Sequence, residues 1–150
     1  MDNMKMARVL SRQRHDFANH LQVIKGYLEL GLPERVQDYV DAVVREINME
    51  SRLFNSVPPG LTIPFYELLL LIRDKGMNLR IGELNIGGAT ELLPRGLESL
   101  RQQIEGYDVP AGQEGAEISL DLSGNDLELR ITLGLLNESG PVVREIVITG

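Results

Sequence analysis

The sequence predicts an α+β protein: an N-terminal antiparallel helical hairpin that dimerises into a four-helix bundle, and a C-terminal α/β two-layer sandwich. Three observations predict it. Apolar residues over the first thirty positions recur at alternating spacings of three and four, as in a helix that packs on other helices. The last part of the chain alternates apolar and polar residues with period two. Between these regions Pro58-Pro59-Gly60 punctuates the chain, which divides it into residues 1–57 and 58–150.

The first helix is predicted over Asn3 to Leu30, with Asp2 or Asn3 as N-cap and Gly31 as its stop. Its seam carries Leu10, Phe17 and Ile24 at one heptad position and Ala7, Arg14, Leu21 and Leu28 at the other. Pro33 opens the second helix, which runs to Asn55 with Val36, Val40, Val43, Ile47 and Phe54 along its seam, widened by Val44 and Leu53. So short a connection makes the two helices antiparallel neighbours. Two helices alone cannot bury both faces of such seams. Dimerisation solves this by packing seam on seam; cover from the C-terminal domain is the intramolecular alternative.

In the second region Pro64 to Lys75 reads as a helix stopped by Gly76, and Asn78 to Ile86 as a strand. Gly87-Gly88 is a turn. Ala89 to Glu105 is helical, but Pro94 and Gly96 are expected to break its start and leave Leu97 to Ile104 as the regular part. A loop from Asp108 to Gly115 leads to two alternating strands, Ile118-Leu120-Leu122 and Leu127-Leu129-Ile131-Leu133, joined at Gly124-Asn125. A last strand covers Val142 to Ile148. This order places the helices on one face of a sheet.

Composition excludes several classes. There is no cysteine, which removes disulfides and thiolate metal sites, and only His15 and His20 are available as imidazole ligands. No apolar run spans a bilayer and no leader is visible, so no membrane association and a cytoplasmic location are expected. The net charge of −7 divides into +3 over residues 1–25 and −10 over the rest, an unfavourable balance for nucleic-acid binding. The basic residues around His15, chiefly Arg8, Arg12 and Arg14, suit docking to an acidic partner pocket; a solvated helix face is the plainer reading of any one of them.

His15 falls next to the seam but outside it, where a bundle leaves side chains in solvent. A neutral imidazole, with a reference pKa of about 6.5, is a good nucleophile at physiological pH. Asp16 beside it can fix the ring tautomer or stabilise charge as an N–P bond forms, and Asn19 lies one turn on along the same side. From spacing alone, an inert surface histidine is the plainer reading.

The run Arg14-His15-Asp16-Phe17-Ala18-Asn19-His20-Leu21-Gln22-Val23-Ile24-Lys25-Gly26-Tyr27-Leu28 resembles the phosphoacceptor helix of the sporulation phosphorelay phosphotransferases and of the related citrate and C4-dicarboxylate sensor kinases. The resemblance implies that His15 is phosphorylated, with Asp16 and Asn19 assisting. It also implies a homodimeric bundle and receiver domains of response regulators as partners. The C-terminal region resembles a histidine-kinase ATPase domain in topology, but in degenerate form. No Asp-x-Gly-x-Gly loop occurs, and the candidate magnesium-holding helix Leu97 to Ile104 has no Asn. No nucleotide, metal or other cofactor of its own is therefore expected, and Mg²⁺ is expected from the receiver partner. The implied activity is phosphotransfer between two receiver aspartates through His15. The alternatives are the signalling core of a sensor kinase, truncated or with a diverged ATP site, and a non-enzymatic dimer that binds receivers.

Overall fold

The computed structural model describes all residues except 1–2, 113–114 and 138–139, together with the backbone alone at 136–137. Helix α1 spans Asn3–Glu29 and helix α2 spans Pro33–Ser56. At a rise of 1.5 Å per residue α1 is roughly 40 Å long. Its end is a glycine-closed cap: Gly31 takes φ +69°, and the Leu32 amide donates to the Tyr27 carbonyl at 2.9 Å. The expected N-cap Asp2 lies outside the described residues, and Asn3 is already the first helical residue. Helix α3 spans Thr62–Asp74 and follows a short 3-10 turn at Pro59–Leu61.

The chain divides into two compact units, Met1–Ser51 and Arg52–Gly150. The division falls inside α2. Leu53, in its last turn, is completely buried, and the Arg52 guanidinium donates to the Ile81 carbonyl at 3.1 Å and to that of Gly82.

In the first unit each helix carries two different faces. Arg12, Asp16, His20, Val23 and Tyr27 of α1 are half-buried, as are Val36, Tyr39, Val40, Val43 and Glu46 of α2. The seam read from the sequence divides between the two: its α2 members Val36, Val40 and Val43, and Ile24 of α1, are half-buried, and most of its α1 members are exposed. Met6, Leu10, Phe17, Leu21 and Leu28 of α1 are exposed, Phe17 to 65%, and so are Val44 and Ile47 of α2. These α1 residues are four or seven positions apart, the spacing of a bundle seam. Scattered exposed apolar side chains are ordinary; a continuous stripe along a helix is not.

The second unit is a four-stranded sheet in the order β1-β2-β3-β4, with β1 Asn78–Asn85, β2 Glu117–Gly124, β3 Glu128–Asn137 and β4 Gly140–Thr149. β1 and β2 are parallel, and the remaining pairs are antiparallel. The parallel pair is joined through a 3-10 turn at Ala89–Leu92 and helix α4, Leu93–Glu105, as a parallel connection requires. Ile118, Leu120 and Leu122 of β2 and Leu129, Ile131, Leu133 and Leu135 of β3 are buried on one face. Phe65, Leu68, Leu69 and Ile72 of α3 and Leu93, Leu97, Leu100 and Ile104 of α4 complete that core. The layer order agrees with the two-layer expectation.

Two local expectations are corrected. The start of 89–105 is irregular as expected, a 3-10 turn at Ala89–Leu92, but the regular helix begins at Leu93 rather than Leu97, because Pro94 sits in the first turn of α4, where its missing N–H has no intrahelical partner to lose. Gly96 lies against the sheet: a Cβ there would meet Leu129 Cδ2 at 2.6 Å and Ile131 Cδ1 at 3.0 Å. Leu127 is not an inward strand residue either. It is 78% exposed in the hairpin turn, where the Asn125 carboxamide oxygen accepts from the Leu127 and Glu128 amides, and β3 starts one residue later.

Lys75 closes the far end of α4. Its ammonium donates to the Glu105 carbonyl at 3.1 Å and the Tyr107 carbonyl at 2.7 Å. A cation at a helix C-terminus meets both the free carbonyls and the negative end of the dipole. Lys75→Met keeps the stem and removes both bonds, and is expected to destabilise the second unit by about 1–3 kcal/mol. Urea unfolding of Lys75→Met and wild type, followed by the amide hydrogen exchange of β2 and β3, checks this.

Candidate functional site

His15 projects from the middle of α1, its side chain 68% exposed. Helix geometry brings two polar groups to the same ring nitrogen. Asp16 Oδ1 stands 3.6 Å from Nδ1, and the Asn19 amide, four residues on, stands 3.4 Å from it. Among the described residues no polar group pairs with Nε2.

The two neighbours favour opposite tautomers. A carboxylate only accepts, so Asp16 favours a proton on Nδ1. The Asn19 NH₂ group, as placed, donates and favours a bare Nδ1; a half-turn of the amide offers its oxygen instead. At 3.6 Å the Asp16 contact is an ion-pair distance, beyond hydrogen-bond range, whereas the Asn19 contact lies at the edge of that range. With the Asn19 oxygen turned to the ring, both neighbours favour a proton on Nδ1 and leave the Nε2 lone pair facing solvent.

Asp16 is itself held. Arg12 Nε donates to the same Oδ1 at 3.2 Å, and the Asp16 side chain is only 26% exposed. Arg8 and Arg14, grouped with Arg12 in the sequence as docking residues, are exposed. Arg14 lines a shallow hollow on α1 with Leu10, Gln13 and Phe17, and so stands on the exposed apolar stripe. His20 does not join His15. Its Nδ1 is 2.7 Å from the Tyr39 hydroxyl on α2, with the rings tilted at 5.7 Å between centroids. Tyr27 meets Tyr39 edge-on at 6.4 Å. Among the described residues no cluster of three or more acidic or histidine side chains is arranged to hold a metal, and no helix is long and apolar enough to cross a membrane.

Residues 1–56 match the family described as Sensor_kinase_SpoOB-type, alpha-helical domain. The hairpin is therefore similar to SpoOB-type helical domains over residues 1–56, a little over a third of the chain. Sporulation initiation phosphotransferase B of Bacillus subtilis (strain 168) is 36% identical to this chain over 61 residues. Those residues make up 41% of this chain and 32% of the relative, so the match spans about a third of that protein's length. His15, Asp16 and Asn19 all fall within the matched residues.

The His20–Tyr39 link is the part of this region that sequence reasoning missed. No spacing rule pairs residues on two helices before the hairpin register is known. The only sequence sign is that His20 and Tyr27, two polar aromatic rings, stand seven apart on one face of α1. Burial, then Glu46 and Tyr27, push the Tyr39 phenol above its ordinary value. The hairpin thus favours the neutral phenol. That stabilisation is fully present below the unfolded value of about 10 and is lost as pH rises through the higher folded value. Tyr39→Phe is expected to lower hairpin stability by about 1 kcal/mol near neutral pH and to flatten its alkaline decline. Thermal melts of both proteins across pH 8 to about 11 check this.

Proposed function

We propose that this protein is a phosphorelay phosphotransferase. It accepts a phosphoryl group on His15 from the aspartyl phosphate of one response-regulator receiver domain and passes it to the aspartate of a second. One observation carries this reading: within the residues that match SpoOB-type helical domains, a solvent-facing imidazole has its inner nitrogen against a carboxylate and its outer nitrogen open.

The chemistry balances without an external base. The Nε2 lone pair attacks phosphorus, the N–P bond forms, and the P–O bond to the receiver aspartate breaks and leaves a carboxylate. The ring keeps its Nδ1 proton and becomes cationic, and Asp16 stabilises that charge. Attack by the second aspartate reverses the sequence and returns neutral His15. The incoming receiver supplies Mg²⁺, which neutralises charge on the phosphoryl oxygens. This chain contributes the nucleophile, its tautomer and a stiff rod that presents it. The exposed stripe through Leu10, Phe17, Leu21 and Leu28 is the seam on which a second copy closes a four-helix bundle. Arg8 adds positive charge that steers an acidic receiver pocket toward it, while Arg14 stands on the seam itself.

The test is a chase without ATP. A receiver phosphorylated by a small-molecule donor is mixed with the full chain and Mg²⁺, and an unphosphorylated second receiver follows. Acid-labile label is expected to pass to this chain and then onward. Label that stays on the first receiver, or is lost to water, contradicts the proposal. Label taken directly from ATP points to a sensor kinase instead.

A further inference from the structure

We infer that Arg12 is a positioning residue for His15, acting through Asp16 rather than on an incoming partner. This deepens the phosphotransfer reading and rests on it only for the rate measurement below. The geometric basis is a shared oxygen. Asp16 Oδ1 lies 3.2 Å from Arg12 Nε and 3.6 Å from His15 Nδ1. A carboxylate oxygen has two lone pairs; this one accepts from Arg12 and stands at ion-pair distance from the His15 ring, within reach of a second donor. Asp16 follows His15 directly in the helix, so its Cβ points about a quarter-turn away, toward the half-buried face. Left to itself, the carboxylate has solvent-facing rotamers that abandon the ring. Arg12, one turn earlier on that same face and only 37% exposed, holds Oδ1 on the side where Nδ1 can reach it. The planar guanidinium fixes direction as well as charge, which an ammonium does not.

Arg8 and Arg14 have no such role: neither approaches Asp16 among the described contacts, and both are exposed. The basic group along α1 therefore divides by geometry. One arginine is directed at the carboxylate beside the nucleophile, and the others face solvent or the seam.

Two measurements on the full chain test this. The first is nitrogen NMR of the two histidine rings, recorded at a pH where their own spectra show no further change on raising it, with His20→Gln used for assignment. His15 is expected to be mainly the Nδ1–H tautomer. Arg12→Met is expected to shift it toward Nε2–H, and Arg12→Lys to restore part of the bias. An unchanged tautomer ratio in Arg12→Met, or a wild-type ring already in the Nε2–H form, overturns the inference. The second is single-turnover transfer from a phosphorylated receiver. Arg12→Met is expected to lower the saturated rate by about tenfold while half-saturation stays fixed. A raised half-saturation with an unchanged saturated rate overturns the inference in favour of docking. If wild-type His15 never takes the label, the phosphotransfer reading fails, and the tautomer result still decides the role of Arg12.

Discussion

His15→Gln is expected to abolish phosphoryl acceptance, with a loss of at least about a thousandfold relative to the wild type. Glutamine keeps a polar side chain of similar reach, and the helix tolerates it well. Its amide nitrogen, however, has no available lone pair, so nothing remains to attack phosphorus. The effect is large because no other group nearby is a competent substitute. Asp16 is partly buried against Arg12, and the Asn19 carboxamide is not nucleophilic. His20 is the natural control, since it is bonded across the hairpin to Tyr39. His20→Gln is expected to retain acceptance. Loss of transfer in both variants, or in neither, would remove His15 from its assigned role.

Phe17→Glu is expected to convert a dimer of twice 16.7 kDa into a monomer of 16.7 kDa by sedimentation or light scattering. In the single chain the Phe17 ring is 65% exposed, so the substitution costs the hairpin itself little. In the proposed bundle, two-fold symmetry enters the same change twice. Each copy loses the burial of an aromatic ring, about 1.5–3 kcal/mol, and gains a buried carboxylate without a partner, which adds several kcal/mol. Val143→Glu, on the exposed face of β4 in the other unit, is the control and is expected to leave the mass unchanged. A wild-type monomer at high concentration, or a Phe17→Glu dimer, would contradict the seam.

The amount legible in the sequence follows from how local each feature is. The hairpin was readable because its punctuation is local: Gly31 for the left-handed cap, Pro33 for a first turn, and a three-residue connection that leaves no topology but antiparallel. The exposed position of His15 was readable because heptad phase is a property of one helix. The strands were readable from their period-two alternation, with Leu127 as the exception. There the alternation runs one step into a turn set by the Asn125 side chain. The regular part of α4 starts four residues before the expected Leu97, because the pattern does not show on which side of Pro94 the helix begins. One turn upstream the same residue would be harmless and one turn downstream disruptive.

The remainder depends on contacts between distant residues. The sharing of one carboxylate oxygen by Arg12 and His15 depends on rotamers, not on spacing. The His20–Tyr39 bond depends on hairpin register, and the burial of Leu53 on residues far along the chain. The sequence punctuates at Pro58, whereas the compact units divide between Ser51 and Arg52, because the end of α2 is fastened to β1 through Arg52. Periodicity continues through that point unchanged, so nothing in the pattern marks it.

Intact-mass spectrometry of the full chain, after mixing with a phosphorylated receiver and Mg²⁺ and without nucleotide, tests the central claim most directly. The account predicts a mass gain of one phosphoryl group per chain that is stable in alkali, lost in acid and absent from His15→Gln. An unmodified wild-type chain, or a gain that survives in His15→Gln, would contradict it.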